Sequence, residues 1–301
     1  MTMYSRRVVT PLNRTVSFFF ETEIVSYLAG IAYFEITYGK TDHLLKEVHL
    51  STKWEHPSGN IILVTVEADI KDDSGDDIDS QDSLATVVVL AWDTLPSTVA
   101  FGSVTGLANG QTGPGGGIPI TGPPVISVAF LSGFDLSYQD DNWIKSASAG
   151  AALGSPTSNL GYITASAAMA DSSGHNATTA TVDGWLLAAS VADPGFAVIE
   201  QADLQTQNPV TVRFSVPAGQ AVVDGAVLLQ NFSVQYPVSN NWIKTLGAGA
   251  MDWSIDGNAI TLTNARAFMW DNSGHYQDDN NSNASLVVVA VLGSDPKGRT
   301  R

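Results

Sequence analysis

The 301-residue chain contains no cysteine, which excludes disulfides, thiolate zinc sites, iron–sulfur ligation and cysteine nucleophiles together. Charge is scarce as well: Asp, Glu, Lys and Arg make up 15% of residues, against roughly 25% in an average soluble protein. Basic residues are the scarcer kind, 14 against 30 acidic ones, for a net charge of -16. Such a balance disfavours sequence-independent binding to nucleic acid or to an anionic membrane face. The longest apolar run, Leu286 to Leu292, has seven residues, where about eighteen would suggest a membrane helix. No membrane insertion is expected, and the protein reads as soluble. Ser5-Arg6-Arg7 has the lettering of an export signal, but Pro11-Leu12-Asn13-Arg14 follows in place of a long apolar core. A basic arm leading into a strand is the expectation, with no classical signal peptide.

What the chain does have is apolar residues, 44% of the total, and a threefold internal repeat. An aromatic alternation occurs as Phe34-Glu35-Ile36-Thr37-Tyr38, Phe134-Asp135-Leu136-Ser137-Tyr138 and Phe232-Ser233-Val234-Gln235-Tyr236. The lysines that end Leu44-Leu45-Lys46, Trp143-Ile144-Lys145 and Trp242-Ile243-Lys244 lie seven or eight residues after each Tyr. Polar turns then end in glycine at Asp72-Asp73-Ser74-Gly75, Asp171-Ser172-Ser173-Gly174 and Asp271-Asn272-Ser273-Gly274, with Lys-to-Gly separations of 29, 29 and 30. The period of about a hundred residues is that of a globular module, since solenoid repeats are roughly 20 to 50 residues long.

Within each copy apolar residues alternate with period two, as at Ile62, Val64, Val66 and Ala68, which marks strands. Ala147 to Ala152 and Ala165 to Ala168 are rich in the best helix former, yet their register with the other copies assigns them to strands too. The expected fold is all-β, three tandem antiparallel β-sandwich modules over residues 1–95, 96–195 and 196–301. Gly and Pro supply 12 of the 23 residues from Gly102 to Pro124, so this stretch reads as a linker before the second module. A basic N-terminal arm, Met1 to Arg14, and a basic C-terminal tail, Pro296 to Arg301, flank the acidic body.

The middle copy reads Pro124-Val125-Ile126-Ser127-Val128, then Gly133-Phe134, Gly161-Tyr162-Ile163-Thr164 and finally Val182-Asp183-Gly184-Trp185-Leu186-Leu187-Ala188. This order resembles H-type lectin domains over about seventy residues of that copy. The resemblance implies a compact β-sandwich that assembles as a trimer and binds N-acetylgalactosamine-type sugars at the edges between subunits. Two arrangements of the three copies follow: packing around a pseudo-threefold axis, or a linear string.

Four features carry candidate chemistry. Glu67 to Asp82 holds eight carboxylates against Lys71 alone. Asp72, Asp73, Asp76 and Asp77 are its candidate Ca²⁺ ligands, although counting back from Gly75 puts Ile70 at the first EF-hand position, and a solvated hairpin loop is the preferred reading of the run. The Asp-x-Ser-Gly turns fit a hairpin whose Asp satisfies backbone N–H groups, with His175 and His275 attached as candidate ligand contacts. Trp143 beside Asn142 and Trp242 beside Asn241 are placed as a sugar-stacking indole would be, whereas Leu44 at the corresponding place in the first copy favours packing. Finally, Gly39-Lys40-Thr41 lacks the upstream glycine of a phosphate loop, and no G-x-S-x-G or H-E-x-x-H occurs.

These features lead to a non-catalytic structural or recognition protein, extracellular or particle-associated, a decoration, fibre, cap or shell subunit whose partners are copies of itself or other subunits. The alternative is a multivalent lectin for cell-surface glycans, its avidity coming from three weak sites. A hydrolase is the distant third.

Overall fold

The computed structural model describes residues 2–155, 159–205, 208–237 and 240–294. Among the described residues every helix-or-strand element is a strand, and all strand pairs are antiparallel. Among the described residues no helix is long and apolar enough to cross a membrane. Residues 1–95 supply β1 (Met3–Pro11), β2 (Arg14–Phe19), β3 (Ser26–Thr37), β4 (Leu45–Ser58), β5 (Ile61–Lys71) and β6 (Leu84–Trp92). Residues 96–195 supply β7 (Val99–Ala108), β8 (Thr112–Pro119), β9 (Ile126–Asn142), β10 (Ser146–Leu153), β11 (Leu160–Ala170) and β12 (Thr179–Ala189). Residues 196–301 supply β13 (Phe196–Leu204), β14 (Val210–Arg213), β15 (Gln220–Gln235), β16 (Thr245–Gly249), β17 (Asp252–Asp256), β18 (Ala259–Thr263), β19 (Arg266–Trp270) and β20 (Asn283–Ser294).

The three segments share their sheets. One six-stranded sheet, β2-β5-β4-β9-β12-β7, joins the first segment to the second through β4 and β9. Another, β13-β20-β15-β10-β11-β8, joins the third to the second through β15 and β10. The five-stranded sheet β1-β6-β3-β16-β19 joins the first to the third through β3 and β16. Pairing is therefore cyclic, each segment lending strands to two large sheets, so a string of separate sandwiches is ruled out. The outer half of the third copy breaks, leaving β14-β18-β17 as a small sheet, because Gly249 (φ 112°) and Asn264 (φ 54°) turn the chain out of line.

Phe34, Phe134 and Phe232, the landmarks of the repeat, meet at the centre with ring centroids 5.2 to 5.4 Å apart. Each is buried, worth about 1.5–3 kcal/mol of transfer free energy, and tilted aromatic pairs add roughly 0.5–1.5 kcal/mol. Just before each ring the strand carries one extra, unpaired residue: Ala32 in β3, Ser132 in β9 and Gln230 in β15. These bulges bend the three strands alike as they pass the centre.

Alternation holds where it was read. Ile62, Val64, Val66 and Ala68 of β5 are buried while their neighbours are half-exposed. The alanine-rich stretches are β10 and β11, with Ala147, Ala149, Ala151, Ala165 and Ala167 buried, so tertiary pairing overrides helix propensity there.

Two expectations are corrected. Residues 102–124 are not a linker: they hold most of β7 and all of β8, each at the end of a six-stranded sheet. Gly and Pro are tolerated at such edges because one side of the strand needs no ladder partner. The N-terminal stretch is not a free arm, since β1 pairs with β6 along its whole length. Arg6 faces Asp224 at 3.6 Å, and Arg7 pairs with Asp252 at 2.6 Å and lies over the Trp253 ring. The basic tail Pro296 to Arg301 lies outside the described residues.

Candidate functional site

Each polar turn is closed by its own aspartate. Asp72 Oδ1 accepts the N–H groups of Ser74 (2.9 Å), Gly75 (3.1 Å) and Asp76 (3.0 Å). Asp171 Oδ1 accepts those of Ser173 and His175, and Asp271 Oδ1 those of Ser273 and His275. The glycines that follow have φ of 96°, 97° and 85°, a left-handed conformation that glycine adopts without steric cost. The other carboxylate oxygen meets an imidazole in all three copies. His175 Nδ1 is 3.0 Å from Asp171 and His275 Nδ1 is 2.5 Å from Asp271. In the first copy Asp76 occupies the histidine position, and His43 arrives from another loop, 3.2 Å from Asp72 and 3.3 Å from Asp76. Burial works to raise the Asp171 carboxyl, but hydrogen bonds from Ser173, His175 and their backbone N–H groups hold it well below the usual carboxylate range. Asp72 is lowered in the same way, its burial outweighed by Ser74, the Asp76 and Ser74 N–H groups and His43.

The residue after each turn aspartate latches onto the next copy. Asp73 N–H donates to Asp141 Oδ1 (2.6 Å), Ser172 N–H to Asn240 Oδ1 (2.5 Å) and Asn272 N–H to Asp42 Oδ2 (3.1 Å). Backbone bridges between His43 and Ile243 and between Ile144 and Asn241 tie the same loops together. Turns and loops thus interlock in a ring at one end of the molecule, called the pole here.

Trp143 and Trp242 stand on this ring, 45% and 43% exposed, with ring centroids 6.1 Å apart. Leu44, at the corresponding place, is half-buried. The asparagines beside the indoles have backbone roles: Asn142 Oδ1 accepts the Trp143 N–H at 2.9 Å, and Asn241 is buried at its bridge to Ile144. The His175 and His275 side chains are mostly exposed on their turns. Below the ring, Tyr38 and Tyr236 donate their hydroxyls to the carbonyls of Leu44 (3.3 Å) and Trp242 (3.1 Å). Burial, ahead of nearby aspartates, pushes both phenols far above their ordinary range.

The four candidate metal ligands separate. Asp72 and Asp76, together with His43, bring ligand atoms within 4.8 Å of one another. Asp73 is bonded instead to Lys46 and to the Asp141 N–H, and Asp77 is exposed. One nitrogen and two carboxylate oxygens fall short of the roughly six to eight oxygens that Ca²⁺ takes.

A second feature lies where β4 and β9 part. Their pairing ends at Ser51 and Gly133, and beyond this fork a groove of about 490 Å³ opens between β4, β5, β7 and β12. Ser51, Lys53, Trp54, Glu67, Thr105 and Asp183 line it, with His49 at one end. Lys53 pairs with Glu67 at 2.5 Å, and Asp183 Oδ1 accepts the Gly106 N–H at 2.7 Å. Beside His49 in register is Asp135, whose Oδ1 is buried without a hydrogen-bond partner. Burial pushes the Asp135 carboxyl up; His49 and Lys71 oppose the shift, and Glu47 and Asp183 add to it.

Sequence reasoning missed the latch residues Asp42, Asp141 and Asn240, although they recur two positions before Leu44, Trp143 and Trp242 and were open to the same alignment. It also missed His43 and the groove. Their signal lies in departures from the repeat, because Asp183 stands where the other copies have Thr86 and Ser285. Neither a family model nor a curated protein matches the chain.

Proposed function

We propose that the chain is a non-catalytic structural and recognition subunit that docks through its pole onto copies of itself or onto other subunits of a larger particle-associated or extracellular assembly. The observation that carries this reading is the exposed pair Trp143 and Trp242, fixed on polar loops that interlock with the turns of the neighbouring copies. Large aromatics clustered at the surface inside a polar rim are the usual anchors of protein interfaces. Loops held by cross-copy hydrogen bonds also lose little conformational freedom on binding. The shared sheets supply a rigid base, so the pole is presented as one surface rather than three independent tips.

A second reading, carbohydrate binding, rests on the same exposed indoles, which follow the polar runs Asp140-Asp141-Asn142 and Asn240-Asn241 in the sequence. The experiment that separates the two uses light scattering and negative-stain imaging of the purified chain beside retention on a galactosamine column. Assembly predicts a ring, filament or shell that disperses to the 31.7 kDa species in the Trp143→Ala/Trp242→Ala double variant. Retention that free sugar reverses supports the lectin instead. A monodisperse wild-type chain that the column does not retain refutes both.

A further inference from the structure

The groove at the fork between β4 and β9 is separate from the pole and belongs to one of three corresponding junctions. One observation describes its geometry and two distinguish it. First, strand irregularities converge there, as they also do around Ser285 of β20. Ser132 is the unpaired residue of β9, and β7 sets Thr105 and Gly106 against the single residue Asp183 of β12. Bulges of this kind re-aim side chains, and Asp183 lines the groove while its Oδ1 holds the Gly106 N–H.

Second, the corresponding junctions are uncharged or filled. The residues matching Asp183 are Thr86, whose hydroxyl donates to the Met251 carbonyl at 3.1 Å, and Ser285, which is buried. Where His49 faces Asp135, the β10 and β15 junction pairs Ser148 with Ser233, and the β16 and β3 junction pairs Gly247 with Glu35. A Cβ at Gly247 would overlap the Phe268 ring, so an aromatic side chain closes that junction.

Third, the charge in the groove does not balance. Lys53 is committed to Glu67 at 2.5 Å, and among the described residues neither Asp183 nor Asp135 is in an ion pair. Sharing the groove lining with Asp183 is the half-buried Trp54, its ring held 4.9 Å from that of the buried Trp185. An indole that shares a groove with an unpaired carboxylate attracts organic cations through both the ring quadrupole and the charge.

We propose that this groove binds a small organic cation, an ammonium or guanidinium group, seated between Trp54 and the carboxylate of Asp183, with Asp135, next to His49 in register but outside the lining, adding its charge. Serine and threonine hydroxyls at Ser51 and Thr105 would hold the uncharged part of the ligand.

The test is calorimetric titration of the intact chain at low salt with argininamide, and in parallel with its neutral isostere citrullinamide. Saturable binding of argininamide, at least tenfold tighter than citrullinamide, is expected. Asp183→Asn is expected to weaken it at least tenfold. Because that side chain also holds Gly106, Asp135→Asn, which breaks no hydrogen bond seen at its Oδ1, serves as the second variant and should weaken it as well. The Trp143→Ala/Trp242→Ala variant should bind as wild type, which keeps this site distinct from the pole. Absence of binding, equal binding of the neutral isostere, or unchanged affinity in both carboxylate variants would overturn the proposal.

Discussion

Replacing Phe34 by alanine tests the shared-sheet architecture most directly. The ring is fully buried and touches two others, Phe134 at 5.4 Å and Phe232 at 5.3 Å, so its removal reaches all three segments at once. Phe→Ala in a core costs about 3–5 kcal/mol, and the loss of two ring pairs, one tilted and one edge-to-face, puts Phe34→Ala in the upper part of that range or just above, about 4–6 kcal/mol. With an unfolding entropy of about 2.1 cal/mol/K per residue, 301 residues give about 0.6 kcal/mol/K, and Tm should fall by about 6–10 °C. Chemical denaturation followed by far-UV circular dichroism and by tryptophan fluorescence should show one coincident transition for both proteins, shifted in midpoint with unchanged slope. Cooperativity is the sharper readout, because strands of each segment complete the sheets of the other two. If Phe34→Ala instead splits the transition, with one third of the amplitude melting early and the rest as wild type, the segments fold independently and the reasoning fails.

Two further outcomes follow from the turns and the glycines. Asp171→Ala removes the acceptor of two backbone N–H groups and should cost about 1–3 kcal/mol at neutral pH. Because the Asp171 carboxyl is held below its unfolded value, its stabilisation is present above about pH 4 and is lost as pH falls further. The gap in denaturation midpoint between wild type and variant should therefore narrow from pH 4 towards pH 2, and a constant gap would refute the assignment. Gly249 and Gly75 both have positive φ, 112° and 96°, but a Cβ at Gly249 would overlap the Ala32 carbonyl while one at Gly75 meets open space. Gly249→Ala should lower stability by more than about 2 kcal/mol and Gly75→Ala by about 1 kcal/mol, measured by urea unfolding; the reverse order would contradict the close approach of β16 to β3.

Strand content was legible in the sequence because a strand's two faces impose a period that residues such as Ile62, Val64 and Val66 display without help from the rest of the fold. The alanine-rich β10 and β11 were legible through the repeat alone, since their own propensity points the other way. The Gly/Pro-rich stretch from Gly102 to Pro124 misled because composition reports what a central strand excludes and says nothing of a sheet edge, where β7 and β8 lie. At the pole, Trp143 and Trp242 were picked out singly from polar surroundings. That they stand 6.1 Å apart depends on loops that the sequence separates by about a hundred residues.

The sequence by itself determined the strand alternation, the three copies and the Asp-Gly turns, all of which depend on contacts within a few residues or on likeness between copies. The tertiary structure alone decided that β4, β10 and β16, each paired on one side within its own segment, pair on the other side with β9, β15 and β3. Edge pairing runs through backbone N–H and C=O groups, which every residue but proline carries, so no side-chain pattern announces the partner. The groove at Asp183 arises for the same reason: one of three near-equivalent, bulged junctions happens to bring a charged residue and a tryptophan to the same fork.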